Sequence, residues 1–321
     1  MTPRHLFILN SLDDPKPTMT TTRLIRASLS MGFQTFLAPF ESIEIFEDGS
    51  LHMEAVSPLG PSESPAALLE DVRTLTKSRI RVRKEDRVFL RTNPARIANP
   101  SNHRAALELL SVAESRGLNV LNSARGLLKA SSKLYLELIP DEYRLPQRIV
   151  QSKASALEAF DALGDELIIK PLEGSRGVGV LPLHRTMDGL GAFLELALST
   201  GPALLQPRLR GAKDVRVVLL DGEPFTHEGD PVAIERIPME GEHRANLHQG
   251  GKALPTSLTP AQRRAIEGIA PRLRQDGLRL VGLDFLGDHI LELNVFAPGG
   301  LRPFETLHSV ELGVLLLKKM I

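Results

Sequence analysis

Near its C-terminus the sequence reads LVGLDFLGDHILELNV, residues 280–295. Asp284, Glu292 and Asn294 interrupt two apolar runs that flank Gly287-Asp288. Successive side chains of a strand point to opposite faces, so register decides which of these residues meet. A two-residue loop at Gly287-Asp288 sets Leu283 opposite Glu292. A three-residue loop at 287–289 pairs Asp284 with Glu292, Gly282 with Asn294, Val281 with Val295, Leu283 with Leu293 and Phe285 with Leu291. Only the second register keeps one face wholly apolar. Asp284, Glu292 and Asn294 then share the other face. Two carboxylates and an amide oxygen are hard ligands, suited to Mg²⁺, or Mn²⁺ in its place, carrying a nucleotide phosphate. The plainer alternative is a solvent-facing polar strand face. Favouring the metal is a set made of acceptors only, with no Lys or Arg opposite to neutralise it.

A second constellation is LIIKPLEGSRGVGV, residues 167–180. An apolar strand at 167–169 delivers Lys170, a point charge for a phosphate. A loop with Gly174, Ser175, Gly177 and Gly179 follows, where glycines let backbone N–H groups approach phosphate oxygens. It is no Walker A loop, since GxxxxGK[ST] is absent, and no dinucleotide fingerprint, since a strand rather than a helix follows. Taken alone, the loop reads as an ordinary flexible turn. The third constellation is ERIPMEGEHRANLHQGG, residues 235–251, with Arg236, Arg244 and Asn246. Asp214 and Arg216 open a strand upstream. Any one of these arginines reads as solvated or paired with a carboxylate. Several converging on a metal-type hairpin would neutralise phosphates. His227, His243 and His248 read as loop or surface histidines.

The elements that must carry these residues alternate. A strand at 5–9, a helix at 20–31, strands at 33–38 and 87–91, a helix at 102–116 and a strand at 118–121 predict an α/β layer. A hairpin at 43–56 turns at Asp48-Gly49, and 57–65 is a Pro/Ser/Gly loop. Short helices at 131–138 and 155–163 and strands at 148–150, 167–170 and 178–183 follow. Beyond residue 204 the pattern predicts mostly antiparallel strands at 215–220, from 224, 232–237, 280–286 and 290–295, with helices at 260–276 and 308–319.

Composition narrows the classes. Hydrophobic residues at 42% allow a packed core over 321 residues, a length suited to two or more lobes. Lys plus Arg equals Asp plus Glu at 39 each, which argues against a general nucleic-acid binder. Tryptophan is absent, so base-stacking platforms are not expected. The lack of cysteine removes disulfides, thiolate metal sites and cysteine nucleophiles. Neither a membrane span nor a long signal-peptide apolar core is found, and a soluble cytoplasmic protein is expected.

Taken in order, the lysine strand, glycine-rich flap, Arg-x-Asn block and Asp…Glu-x-Asn hairpin resemble the ATP-grasp ligases, of the bacterial glutathione synthetase type. The resemblance spans roughly residues 80–300 and is densest from Leu167. Its most specific pieces are FLRTNP (89–94), DGEP (221–224), ERIP (235–238), RANLHQGG (244–251) and VGLDFLGDHILELNV (281–295). It implies an ATP-grasp architecture: an N-terminal Rossmann-like domain over 1–122, a small α+β lid lobe over 123–205 and an antiparallel-sheet catalytic lobe over 206–321. It implies that Lys133, in SSKLY, and Lys170 contact the nucleotide, that 174–179 forms a flap, and that Gln206 meets adenine with Asp214 nearby. Arg236, Arg244 and Asn246 match a phosphate-side block, and Asp284, Glu292 and Asn294 the Mg²⁺ ligands. Lys170, Arg216, Arg236 and Arg244 are the implied catalytic set, and Arg91, Asn93, Arg216, Gly299, Gly300 and Arg302 the substrate side.

The implied reaction forms an acylphosphate from ATP and a carboxylate, then an amide with an amine, on amino-acid or short-peptide substrates. A homo-oligomer without nucleic-acid or membrane partners is expected. Two departures bear on the substrate. Where the family runs through a Ser-Pro-Thr type loop after Asn294, this chain has VFAPGGLR, and Arg91 is followed by Thr92-Asn93 without an acidic residue. The other classes weighed are an ATP-binding scaffold without turnover and a phosphotransferase. A metal-dependent hydrolase lacks any HExxH motif or clustered histidines.

Overall fold

The computed structural model describes residues 3–174, 178–239 and 251–321. Its first layer grows from the strand His5–Leu9, every residue of which is buried. A strand covered on both faces belongs in a parallel sheet flanked by helices. Across that sheet the order is Thr35–Pro39, His5–Leu9, Arg87–Leu90 and Asn119–Leu121, each neighbouring pair parallel. Helices Thr20–Ser30 and Pro100–Ser115 lie between successive strands. The second starts where the Asn99 side chain accepts from Ser101 N–H and Pro100 takes the first helical position. The expected hairpin, Glu44–Ile45 with Leu51–Ala55, gains an unforeseen third strand, Ser78–Arg81. A helix, Pro65–Thr74, also went unforeseen. It begins at the end of the expected loop, capped by the Ser64 hydroxyl accepting from Ala67 N–H.

A small antiparallel sheet follows, in the order Leu181–His184, Glu166–Pro171, Ala203–Pro207 and Arg148–Val150. Helices Lys153–Leu163 and Leu190–Leu198 accompany it, and Phe160, Leu167, Ile169, Leu194 and Leu205 form a hydrophobic cluster of its own. The largest sheet is antiparallel and runs Lys252–Pro255, Ala233–Ile237, Asp214–Leu220, Leu280–Leu286, His289–Asn294. Helix Pro260–Gln275, opened by a Thr259/Gln262 capping box, buries Ile266, Ile269 and Leu273 in the core of that sheet.

The first and last sheets share their cores. One cluster joins Leu6, Ile8 and Val88 to Val217, Leu283 and Phe285, and another joins Phe7 and Phe89 to Val218, Leu280 and Phe304. Close approach reinforces this join. The helix Ala124–Lys129 meets the end of the Pro260–Gln275 helix so closely that a Cβ on Gly126 would lie 1.9 Å from the Asp276 carbonyl oxygen. One expectation fails at the C-terminus. Instead of one helix at 308–319 there are two, Leu301–His308 and Gly313–Met320. Ser309, at φ 55°, breaks the chain between them, and the Glu305 carboxylate accepts from Leu312 N–H. Among the described residues no helix is long and apolar enough to cross a membrane.

Candidate active site

The hairpin carrying Asp284 and Glu292 has a two-residue loop and a bulge. Leu286 faces His289 and Phe285 faces Ile290; past Leu291 the register shifts by one, pairing Asp284 with Glu292, Leu283 with Leu293 and Gly282 with Asn294. The pairs that bring the three polar residues together are therefore present. The expected three-residue loop and the Phe285–Leu291 pair are not, and the ladder ends before Val281–Val295. A bulge absorbs the odd residue that the sequence pattern assigned to the loop.

A second correction is electrostatic. No cation was expected opposite the acidic set, yet the strand Asp214–Leu220 lies on the other side of Leu280–Leu286 with Arg216 in register with Asp284. Arg216 grips the carboxylate with both arms, Nε to Oδ1 and Nη2 to Oδ2, each 2.6 Å. Arg236 Nη2 stands 3.2 Å from the same Oδ2, and Asn294 Nδ2 donates to it at 3.1 Å. Arg236 also donates to Asp214 Oδ1, at 2.7 Å from Nε and 2.5 Å from Nη2. Asp284 is only 2% exposed. Burial works against its charge, but Arg216 and Arg236 outweigh burial and hold the carboxyl below its ordinary range. At Asp214 the balance reverses: burial, with the Asp284 charge beside it, outweighs Arg236 and lifts the carboxyl to about 6.

Lys170 comes from the small sheet. Its Nζ donates to Gln206 Oε1 at 2.7 Å, and Gln206, itself buried, donates from Nε2 to Gln147 Oε1 at 2.8 Å. Burial, with the Lys133 charge nearby, pushes the Lys170 amine down to about 8 against the pull of Glu292, Asp214 and Asp284. Lys133 is lowered by burial as well, opposed by Glu292 and Glu173. Its backbone N–H is tied to the Leu172 carbonyl and its Nζ reaches the Gly174 carbonyl at 3.5 Å. Gln147 had no signal in the sequence; only the fold brings it to Gln206.

Gly174 and Gly179 adopt positive φ, 112° and 72°. Ser175 and Gly177 of the flap lie outside the described residues, as do Arg244 and Asn246. On the substrate side, Arg91 is buried and donates to Thr21 Oγ1 and to the Pro298 carbonyl. Asn93 caps its own turn through Ala95 N–H, and its backbone N–H donates to Asn10 Oδ1. Gly300 lies against the Arg216 stem, where an added Cβ would stand 3.5 Å from Cδ. Arg302 is exposed on its helix.

These residues fit a hard divalent cation. Glu292 makes no hydrogen bond or ion pair with the described residues and lies near Lys133 and Lys170. The donors are carboxylate and amide oxygens, and a cation at Asp284 would share that carboxylate with Arg216. Among the described residues no cluster of three or more His, Cys, Asp or Glu could hold a metal ion, so the Asn294 amide would have to complete the set of Asp284 and Glu292. Two surface clefts, of about 460 and 250 Å³, flank the Pro260–Gln275 helix and include none of these side chains.

The model of the prokaryotic glutathione synthetase ATP-grasp domain matches residues 132–309. That span exceeds half the chain and carries Lys133, Lys170, Gln206, Asp214, Arg216, Arg236, Asp284, Glu292 and Asn294, but not Arg91 or Asn93. The chain belongs to this family. It is an ATP-dependent, ADP-forming carbon–nitrogen ligase, of a family that uses ATP and a divalent metal. Among similar proteins, the glutathione synthetase of Synechococcus elongatus is 33% identical over 233 residues, 70% of this chain and 68% of that protein. That of Parasynechococcus marenigrum is 36% identical over 206 residues, 63% of this chain and 64% of that protein. The ATP-grasp fold extends over the whole chain. The D-cycloserine synthetase DcsG superposes with a TM-score of 0.65 at 15% identity, covering 98% of each chain. D-alanyl-alanine synthetase A from Vibrio cholerae gives 0.60 at 14% identity, covering 99% of this chain and 98% of that one.

Proposed function

We propose that this ATP-grasp ligase joins the carboxylate of an amino acid or short peptide to an amine, with γ-glutamylcysteine and glycine the first pair to test. The observation carrying the reading is the junction of the two antiparallel sheets. Lys133, Lys170, Arg216 and Arg236 surround Asp214, Asp284 and Glu292 there. With Glu173 beside Lys133 the charges balance four against four, and a divalent cation at the carboxylates would leave the four cationic groups to meet a polyphosphate.

In this reading a carboxylate oxygen of the acid attacks the terminal phosphorus of ATP, and the bond to the ADP oxygen breaks. The amine nitrogen then attacks the acyl carbon and loses a proton as inorganic phosphate departs. No protein nucleophile takes part, so positioning and charge neutralisation supply the catalysis. Lys170 and Lys133 bind phosphate, with Gln206 fixing the Lys170 amine and lining the base side. Arg216 and Arg236 neutralise the transferring group, joined by Arg244 and Asn246. Asp284, Glu292 and Asn294 would hold a divalent cation, Mg²⁺ in this reading, which when bound screens the phosphate oxygens. Gly174 to Gly179 cover the phosphates and exclude water from the acylphosphate. Asn93, Gly299, Gly300 and Arg302 face the acid. The division at 122 and 205 separates acid-side, lid and catalytic lobes, and the supply of ATP makes the cytoplasm the expected compartment.

The test is ADP release with Mg-ATP over acid–amine pairs, beginning with γ-glutamylcysteine and glycine, products being identified by mass spectrometry. Glu292→Gln should lower turnover by about 10²-fold or more, the usual cost of removing one charge-stabilising group, while leaving the unfolding transition in place. Wild-type turnover in that variant removes the cation assignment. Nucleotide binding without ADP release in every pair would replace the ligase by a scaffold.

A further inference from the structure

Arg91 follows the strand Arg87–Leu90 and is 3% exposed. Among the described residues no carboxylate pairs with it, and the nearby charge is another cation, Arg96. A buried guanidinium without a counter-ion is costly to keep. Its hydrogen bonds go to neutral oxygens: Nε to Thr21 Oγ1 and Nη2 to the Pro298 carbonyl, both 3.1 Å. The second of these bonds reaches the loop that follows Asn294.

Two other side chains from the N-terminal part of the chain hold the same loop. Asn122 Nδ2 donates to the Val295 carbonyl at 3.2 Å and to the Leu280 carbonyl at 2.8 Å, while its Oδ1 accepts from Leu280 N–H at 2.7 Å. His103, fixed by a 2.7 Å bond between Nε2 and Thr92 Oγ1, sets its ring edge-on to Phe296 with centroids 5.6 Å apart. Positions 295, 296 and 298 are thus each held from the N-terminal side. Between them Ala297 sits at φ 42°, a left-handed conformation that a non-glycine residue keeps only where its surroundings impose it.

The other face of the loop rests on the cluster. An added Cβ on Gly282, which pairs with Asn294, would lie 3.5 Å from Pro298 Cβ and 3.6 Å from the Gly299 carbonyl. Gly300 packs on Arg216 and Val218. A shift of the 295–300 backbone would therefore be felt at Arg216 and Asn294, both of which contact Asp284.

We propose that Arg91 is a positioning residue: its guanidinium is committed to the Pro298 carbonyl and holds the 295–300 loop against the Asp284 cluster, so that the N-terminal lobe sets that wall of the acid-substrate site. This rests on the reading of that cluster as the reaction centre. Arg91 does not touch substrate, and its effect passes through the loop.

Hydrogen–deuterium exchange on the substrate-free protein tests the strut apart from any activity. In Arg91→Met the amides of Phe296, Ala297, Gly299 and Gly300 should exchange at least tenfold faster. Those of His5–Leu9 should stay within twofold of wild type. Arg91→Lys, with one donor group where two were used, should fall between. With γ-glutamylcysteine and glycine, kcat should drop while KM for the acid rises, and AMP-PNP affinity should change less than twofold. Wild-type exchange in the loop together with a raised KM alone would overturn the proposal, because that is the signature of a direct substrate contact. Should Arg91→Met fail to fold, Arg91→Lys and His103→Leu carry the same exchange comparison, and wild-type exchange in both overturns it. A wild-type protein that releases no ADP would defeat the ligase reading and leave the exchange result standing.

Discussion

Arg216→Met isolates the most exacting electrostatic feature of the site. Asp284 is 2% exposed and receives two 2.6 Å bonds from Arg216. Removing one partner of such a pair leaves a buried charge uncompensated, at a cost of about 3–5 kcal/mol. Arg236 at 3.2 Å and Asn294 at 3.1 Å remain, which sets the expectation at the low end, about 3 kcal/mol. That is roughly a hundredfold in the folding equilibrium, readable from urea unfolding monitored by circular dichroism. Asp284→Asn should be costly for the mirror reason, since it strands Arg216, and the double variant should be less destabilised than the sum of the two.

The pH dependence has a definite sign. In the wild type the folded carboxyl lies below its ordinary value, so its stabilisation is complete above the normal carboxylate range and is lost as pH falls through the folded pKa. Without Arg216 burial gains ground, the carboxyl rises, and the deficit of the variant shrinks on acidification. Saturating Mg²⁺ at ten times its dissociation constant should return about 1.4 kcal/mol to the variant if Asp284 takes part in binding it. A deficit below about 1 kcal/mol, constant between acid and neutral pH, would refute the reasoning and reduce the pair to a surface-like contact.

Other outcomes follow from the same geometry. With the Lys170 amine at about 8, AMP-PNP affinity measured by calorimetry should fall by up to tenfold per unit above that pH, a dependence that Lys170→Met abolishes. Gly126→Ala would drive a methyl group to within 1.9 Å of the Asp276 carbonyl oxygen, so thermal unfolding should show a loss of roughly 2–3 kcal/mol, with the active-site residues untouched.

How far the sequence foretold this site depends on which interactions were local. Asp284, Glu292 and Asn294 were legible because alternation and a single turn fix who faces whom within sixteen residues. The detail that failed was also local: apolar pairs on both sides of the turn, Phe285-Leu286 and Ile290-Leu291, do not say whether the odd residue sits in the loop or in a bulge. Arg216 was invisible as a partner because it lies 68 positions from Asp284 and on the strand at the other flank. Inspecting two strands of a sheet says nothing about the third. The helix Pro65–Thr74 carried a readable start in Ser64-Pro65, which a Pro/Ser-rich stretch disguised as loop. Gly299-Gly300 and Pro303 likewise hid the helix Leu301–His308, although Pro303 falls in its first turn, where a missing N–H is harmless.

The failure at Arg216 has a physical cause that bears on function. Neighbouring carboxylates repel one another in a buried site unless cations neutralise them. The fold supplies that charge from a distant strand, and the guanidinium of Arg216 occupies oxygens that a divalent cation would use. In the proposed reading a divalent cation at Asp284 would share that carboxylate with Arg216, whose guanidinium would then lie beside the incoming phosphates. The long-range pair that the sequence concealed thus sets the charge that a cation and its nucleotide would meet at Asp284. The stability of Arg216→Met and its response to Mg²⁺ measure how much of that charge Arg216 supplies.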